Sequence, residues 1–258
     1  MDMSTPNRYW QLDSIRGFAV VLMVIYHSLF DLNYFGGPFL GLHFNLNPLL
    51  QLVIPVTIGT LFFLVLGASA FIKFQQLQKQ SVRPFLLRGI LLFAIGLSIT
   101  LVTAIFVPQG PIYFGVLHSL GLSLVLLFPF LLINRYGFNL LLGMIIIAVG
   151  VFLLPRDVHF PWLIWVGFTP EHYQSLDYYP IFPWFGVSLI GLVFGKVFFE
   201  HFGAAAKIPT VENFRPRNYL TSLAFLGRHS LLIYLVHQPV IMGLTMAIFR
   251  LSNFVRLR

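Results

Sequence analysis

The chain has 258 residues, of which 58% are hydrophobic and 9% charged, with 29 Phe and no Cys. Soluble domains carry about 25% charged residues, so a soluble globular fold is excluded, and the missing cysteines exclude disulfide and thiolate chemistry. The formal net charge of +8 would suit nucleic acid in a soluble protein. Here the basic residues occupy short loops between apolar runs, where membrane orientation accounts for them, and nucleic acid is not expected as a partner.

A bilayer-spanning helix needs about 20 apolar residues. That criterion predicts seven spans, at roughly 12–32, 50–74, 85–106, 112–133, 138–154, 180–199 and 229–249. The expected fold is therefore an all-α integral membrane protein, a bundle of about seven transmembrane helices forming one domain over 1–258. The first apolar run shows no cleavage-site pattern and is read as a retained span rather than a signal peptide. The stretch 220–226 reads as an interfacial lead-in to the last span. With the N-terminus inside, all sixteen Lys and Arg except Arg156, Arg250, Arg256 and Arg258 fall on the cytoplasmic side. The last three follow the final span, so either the C-terminus lies outside or the chain makes a re-entrant turn near Pro239.

The first span, LDSIRGFAVVLMVIYHSLFDL, carries Asp13, Arg16, His27 and Asp31. Ionisable groups at bilayer depth are costly and are functional candidates by default. Arg16 and His27 are eleven residues apart, about three turns and roughly 16 Å on one helical stripe that also holds Val20 and Met23. Asp31 is one turn beyond His27, within reach of its imidazole. A carboxylate that fixes the tautomer of a histidine and stabilises its protonated form is what a general base needs.

His118 and His237 also fall within predicted spans. Counting rise per residue places His27 about 22 Å above Leu12, His118 about 9 Å below the outer surface, and His237 about 12 Å above the inner end of the last helix. These depths permit one cavity lined by His27 and His118 with His237 beneath it. For His118 and His237, a purely structural role in hydrogen bonding between helices is an equal alternative.

Two longer segments fall outside. One, Asn33 to Pro48, holds His43; the other, Pro155 to Tyr179, is rich in aromatic and acidic residues. The second composition suits a sugar or another polar acceptor, and equally an aromatic belt at the membrane interface. The inner segments, Lys73 to Arg88 and Gly203 to Arg228, are basic, as phosphate binding and the positive-inside rule would each require.

The blocks LDSIRGFAVVLMVIYH with DLNYFGG, LFFLVLGASAF, FGVLHSLGLSL, YYPIFPWFGVSLIGLVFG and LGRHSLLIYLVHQPV follow one another in this order. Together they resemble the heparan-α-glucosaminide N-acetyltransferase-like membrane proteins, most closely a small prokaryotic branch. The first and last blocks also resemble the wider acyltransferase-3 family. Its Arg and His eleven apart are matched by Arg16 and His27, and its closing SLxxYLxH by Ser230, Leu231, Tyr234, Leu235 and His237.

The resemblance implies an acyltransferase in a prokaryotic inner membrane. Cytoplasmic acyl-CoA, as acetyl-CoA, would be the donor and a sugar or similar glycan-like group the outer acceptor. No metal is called for, and a homodimer is allowed. The catalytic histidine is then His27 by the acyltransferase-3 spacing, or His43 by analogy with the lysosomal namesake, whose proposed catalytic histidine lies in the loop after the first helix. Arg16, Arg83, Arg88, Arg135 and Arg228, with Arg215 and Arg217, are the candidate phosphate ligands. His118 and His237 complete the substrate-binding set, with His118 as a candidate for oxyanion stabilisation. Two other classes remain open from the residues: a haem b electron carrier ligated by His27 and His118, and a transporter or flippase on the same scaffold.

Overall fold

The computed structural model describes residues 9–36, 47–77, 81–133, 135–152, 158–159, 161–203 and 218–256. Among the described residues the regular structure is helical, with eight α-helices: α1 (Trp10–Gly36), α2 (Pro48–Gln76), α3 (Arg83–Phe106), α4 (Val116–Ile133), α5 (Tyr136–Phe152), α6 (Ile181–Phe198), α7 (Asn218–Arg228) and α8 (Ser230–Arg256). Six of them are long and apolar enough to cross a membrane. The seventh, α5, has 17 residues, about 25 Å of helix. All seven expected segments are helical, six of them as candidate spans and the fifth as a shorter apolar helix, in an integral membrane protein that is helical among the described residues, and the expected lead-in is the separate helix α7.

Two expectations change. The fourth span begins at Val116 rather than near residue 112, because Pro108, Gly110, Pro111 and Gly115 keep the preceding connector out of helix. His118 therefore sits in the first turn of α4, about 3 Å from its start rather than 9 Å. The last span shows no re-entrant turn: α8 is one continuous helix through Pro239.

The chain forms two compact units, with the boundary inside α2. The first unit (1–62 and 214–258) contains α1, α7 and α8. There α1 packs on both α7 and α8, burying Leu12, Ala19, Val20 and Met23. Its crossing with α7 is a backbone-to-backbone contact made through a glycine on each side. A Cβ on Gly17 would run into the carbonyl oxygen of Leu223, and one on Gly227 into that of Asp13. With no hydrophobic drive between helices in lipid, small residues that let backbones touch are what hold such crossings. Ser14 adds a hydroxyl bond to the Leu220 carbonyl, 3.2 Å.

The second unit (63–213) holds the C-terminal part of α2 with α3 to α6. Its helix pairs use the same device. Gly89 of α3 faces the Gly121 carbonyl of α4, Gly143 of α5 faces that of Gly186 in α6, and Gly191 of α6 faces Leu64 of α2. The fully buried Asn139 ties the start of α5 to the end of α4 through the Phe130 carbonyl, 3.3 Å. Between α5 and α6 the segment 161–180 is irregular and aromatic. The Tyr178 hydroxyl donates to the Ile164 carbonyl at 2.9 Å. Burial, reinforced by the neighbouring Tyr173, pushes the Tyr178 phenol above its ordinary pKa.

Candidate active site

The polar residues of α1 divide into two groups on one stripe, and α8 or α7 supplies the partner of each. At the N-terminal end Asp13 accepts a hydrogen bond from Arg16 at 2.9 Å, and Arg228, the last residue of α7, brings its Nε to 3.6 Å of the same carboxylate. Both arginines expected to contact phosphate thus share one acid. Arg228 nevertheless remains about half exposed and Arg16 less so. Asp13 lies in the first turn of α1, where the positive end of the helix dipole favours a carboxylate.

Eleven residues along α1, His27 packs against His237 of α8, with ring centroids 5.1 Å apart and planes tilted by 54°. One turn further, the Asp31 carboxylate is 2% exposed. Its partner is the Gln238 side chain of α8, whose Nε2 donates at 3.1 and 3.2 Å to the two carboxylate oxygens. Asp31, at the i+4 position, is thus held by Gln238 rather than by His27. A carboxylate this deeply buried takes the donor that reaches both its oxygens, and the Gln amide of the facing helix does so. The two rungs, His27 with His237 and Asp31 with Gln238, lie side by side on consecutive residues of α8.

The ring nitrogens of His237 can be assigned from their partners. Nδ1 lies 2.7 Å from the Tyr234 carbonyl and 3.2 Å from that of Ile233. Carbonyls only accept, so Nδ1 carries the proton and, in the neutral ring, Nε2 holds a lone pair. His27 makes no hydrogen bond to any described residue. The Oε1 of Gln238 is buried and has no hydrogen-bond partner among the described residues, leaving an unused acceptor beside the pair.

His118 belongs to the second unit and its setting is different. It is 1% exposed, between Phe93 and Phe114. The Gly115 N–H donates to its Nδ1 at 3.2 Å, so the neutral ring carries its proton on Nε2. Nε2 lies 3.3 Å from the Thr100 hydroxyl, which in turn donates to the Ile112 carbonyl at 2.5 Å. Both nitrogens are engaged, and the ring ties α3 to the connector before α4. Gly96 makes room for it, since a Cβ there would stand 2.9 Å from the imidazole. These are the bonds that the structural alternative for His118 calls for. The start of α4 is further held by Asp177, which accepts from the Val116 N–H at 2.9 Å.

The remaining candidates are simply placed. Arg83, Arg88 and Arg135 are exposed in the second unit, and among the described residues none is in an ion pair. His43, Arg215 and Arg217 lie outside the described residues. Gln238 was not singled out from the sequence. Its signal was there, as an amide next to a histidine and before a proline inside an apolar run, but its partner is 207 residues away.

A family model described as "Heparan-alpha-glucosaminide N-acetyltransferase, catalytic" matches residues 8–239, from just before α1 to just beyond Gln238. No curated protein and no solved structure matches the chain.

Proposed function

Because the chain belongs to the heparan-alpha-glucosaminide N-acetyltransferase catalytic family, a family of acetyltransferases, we propose that it transfers an acetyl group from acetyl-CoA at the inner face of a prokaryotic inner membrane to a glycan-like acceptor on the outer side. His27 is the general base. The observation that carries this reading is the His27–His237 pair on α1 and α8, in which His27 makes no hydrogen bond to a described residue. His27 is preferred to His43 on that ground.

In this reading His27 removes a proton from the acceptor hydroxyl or amine as it attacks the thioester carbonyl. The new C–O or C–N bond forms, the C–S bond breaks, and the departing CoA thiolate regains a proton from the imidazolium. Asp31 is the negative charge that steadies this end of α1 while the imidazole is charged. Within the unit that holds His27, the arginines available for the donor's phosphates are Arg228 and Arg16 around Asp13. Planar guanidinium forks suit pyrophosphate and a 3′-phosphate. With the N-terminus inside, the roughly 16 Å of α1 between Arg16 and His27 is the distance the pantetheine arm has to span.

The test is binding and slow hydrolysis of acetyl-CoA by purified protein in lipid nanodiscs, wild type beside His27→Ala. Saturable binding in both, with thioester turnover confined to the wild type, is the expected result. Equal turnover in the variant would remove His27 from the role, and no binding in either would remove the donor.

A further inference from the structure

A histidine inside a membrane helix pays for any nitrogen left without a partner, because lipid offers none. His118 satisfies this rule with a bond at each nitrogen. The α1–α8 pair does not. His237 is clamped by Tyr234 and Ile233 through Nδ1–H, which fixes the ring and leaves the Nε2 lone pair without a hydrogen bond to any described residue. His27, its neighbour at 5.1 Å between centroids, has no hydrogen bond to a described residue that would resist rotation. A centroid separation of 5.1 Å is the distance at which two imidazoles turned edge to edge have facing nitrogens within hydrogen-bond reach. The other group suited to orient His27, the Asp31 carboxylate, is already held on both oxygens by Gln238.

We infer that His237 is the positioning residue for His27 and the second station for its proton. The inference rests on the acetyl-transfer reading for its chemistry, but not for its geometry. In the resting site the N–H of neutral His27 donates to His237 Nε2, which leaves the opposite His27 nitrogen as a lone pair facing the acceptor. As that nitrogen takes the proton of the attacking hydroxyl or amine, the proton on the other side moves to His237 Nε2. His27 ends neutral in the opposite tautomer, and His237 ends as an imidazolium with both nitrogens protonated. The positive charge then rests where Nδ1–H already donates to two carbonyls, bonds that strengthen when the donor is charged, and one residue from the Gln238-held Asp31 carboxylate. When the C–S bond breaks, the thiolate takes a proton from His27 and His237 returns its own, which restores the starting state.

The ionisable groups on the two helices nearest the pair are Asp31 and Tyr26 of α1 and Tyr234 of α8. Asp31 is engaged with Gln238 rather than with His237 Nε2. The role Asp31 was expected to fill from sequence spacing therefore passes to a histidine from the other end of the chain.

Two measurements on the full-length protein in nanodiscs test this. The first needs no turnover: ¹⁵N resonances of ring-labelled histidines in the wild type and in His27→Gln. The inference expects His237 protonated at Nδ1 in the wild type and its Nε2 resonance moved in the variant. An Nε2 resonance unchanged by the substitution would overturn the pairing.

The second is His237→Gln, which keeps a hydrogen-bond acceptor but cannot carry the proton. The expected result is a fall in kcat of at least tenfold, KM for acetyl-CoA within twofold, and unchanged thermal melting. The dependence of rate on D₂O fraction should change from bowed, two protons in flight, to linear. Wild-type kcat in this variant, or a loss accompanied by an unaltered bowed profile, would overturn the relay. If the wild type turns over no thioester, the acetyl-transfer reading has failed and the resonance measurement alone decides whether the pair exists.

Discussion

His118 and the His27–His237 pair are intramembrane histidines with nearly the same sequence signature, each a lone imidazole in an apolar run, yet they are built oppositely. Both ring nitrogens of His118 are engaged, from the Gly115 N–H through the ring to Thr100 and the Ile112 carbonyl. In the other unit one ring is fixed by the backbone with a nitrogen open, and the other has no described hydrogen bond at all. Proteins keep unsatisfied polar groups in lipid where those groups have work to do. On the proposed reading, the hydrogen bonds at each ring separate a structural histidine from a chemical one where hydropathy cannot.

That contrast is open to attack by substitution. The largest effect is expected from His27→Ala, which should reduce acetyl transfer by about 10²–10⁴-fold, the usual worth of a general base, while the melting temperature stays within a few degrees. Comparable loss of folding would instead make it another His118. Next comes the α1–α7 crossing that presents the stripe. Gly17→Leu or Gly227→Leu forces two backbones apart and should cost about 3 kcal/mol, read as a lower melting temperature and poor yield in detergent.

His118→Ala is the mirror of His27→Ala. It leaves the Gly115 N–H and the Thr100 hydroxyl short of a partner and should lower stability by about 2–3 kcal/mol, with kcat per folded molecule unchanged. A selective loss of kcat would return His118 to the chemistry. Gln238→Leu removes two bonds to a buried carboxylate and should destabilise by about 2 kcal/mol, detected as faster proteolysis or hydrogen exchange in α8. The smallest effect is expected from Asp13→Asn, because its arginine partners are partly exposed. A stability change below about 1 kcal/mol should accompany a change in acetyl-CoA affinity as Arg16 and Arg228 are released.

Most of the fold was legible. Spans of about 20 apolar residues announce themselves by length, and even the α7 lead-in could be marked off from α8 at residues 220–226. The start of α4 was misplaced because residues 112–115 are as apolar as the helix they precede, and only Pro111 and Gly115 hint that the backbone is not helical there. In the site, the common stripe of Arg16, Val20, Met23, His27 and Asp31 followed from helical pitch, and Val20, Met23 and Asp31 are buried as a packed face requires. The partners did not follow. Spacing put Asp31 within reach of His27, whereas a better donor, Gln238, arrives from α8.

The sequence by itself determined the class of solvent, the number and phase of the spans, and the residues that share a face, because these depend on hydropathy and on a helix repeat set by covalent geometry. Which face meets which was decided only in three dimensions. The Gly17–Gly227 contact, the Asp13–Arg228 pair, the His27–His237 rung and the Asp31–Gln238 clamp each join residues some two hundred positions apart. No local periodicity records such a pairing, because it is set by which helix backbones can approach closely enough for their polar side chains to satisfy one another away from water.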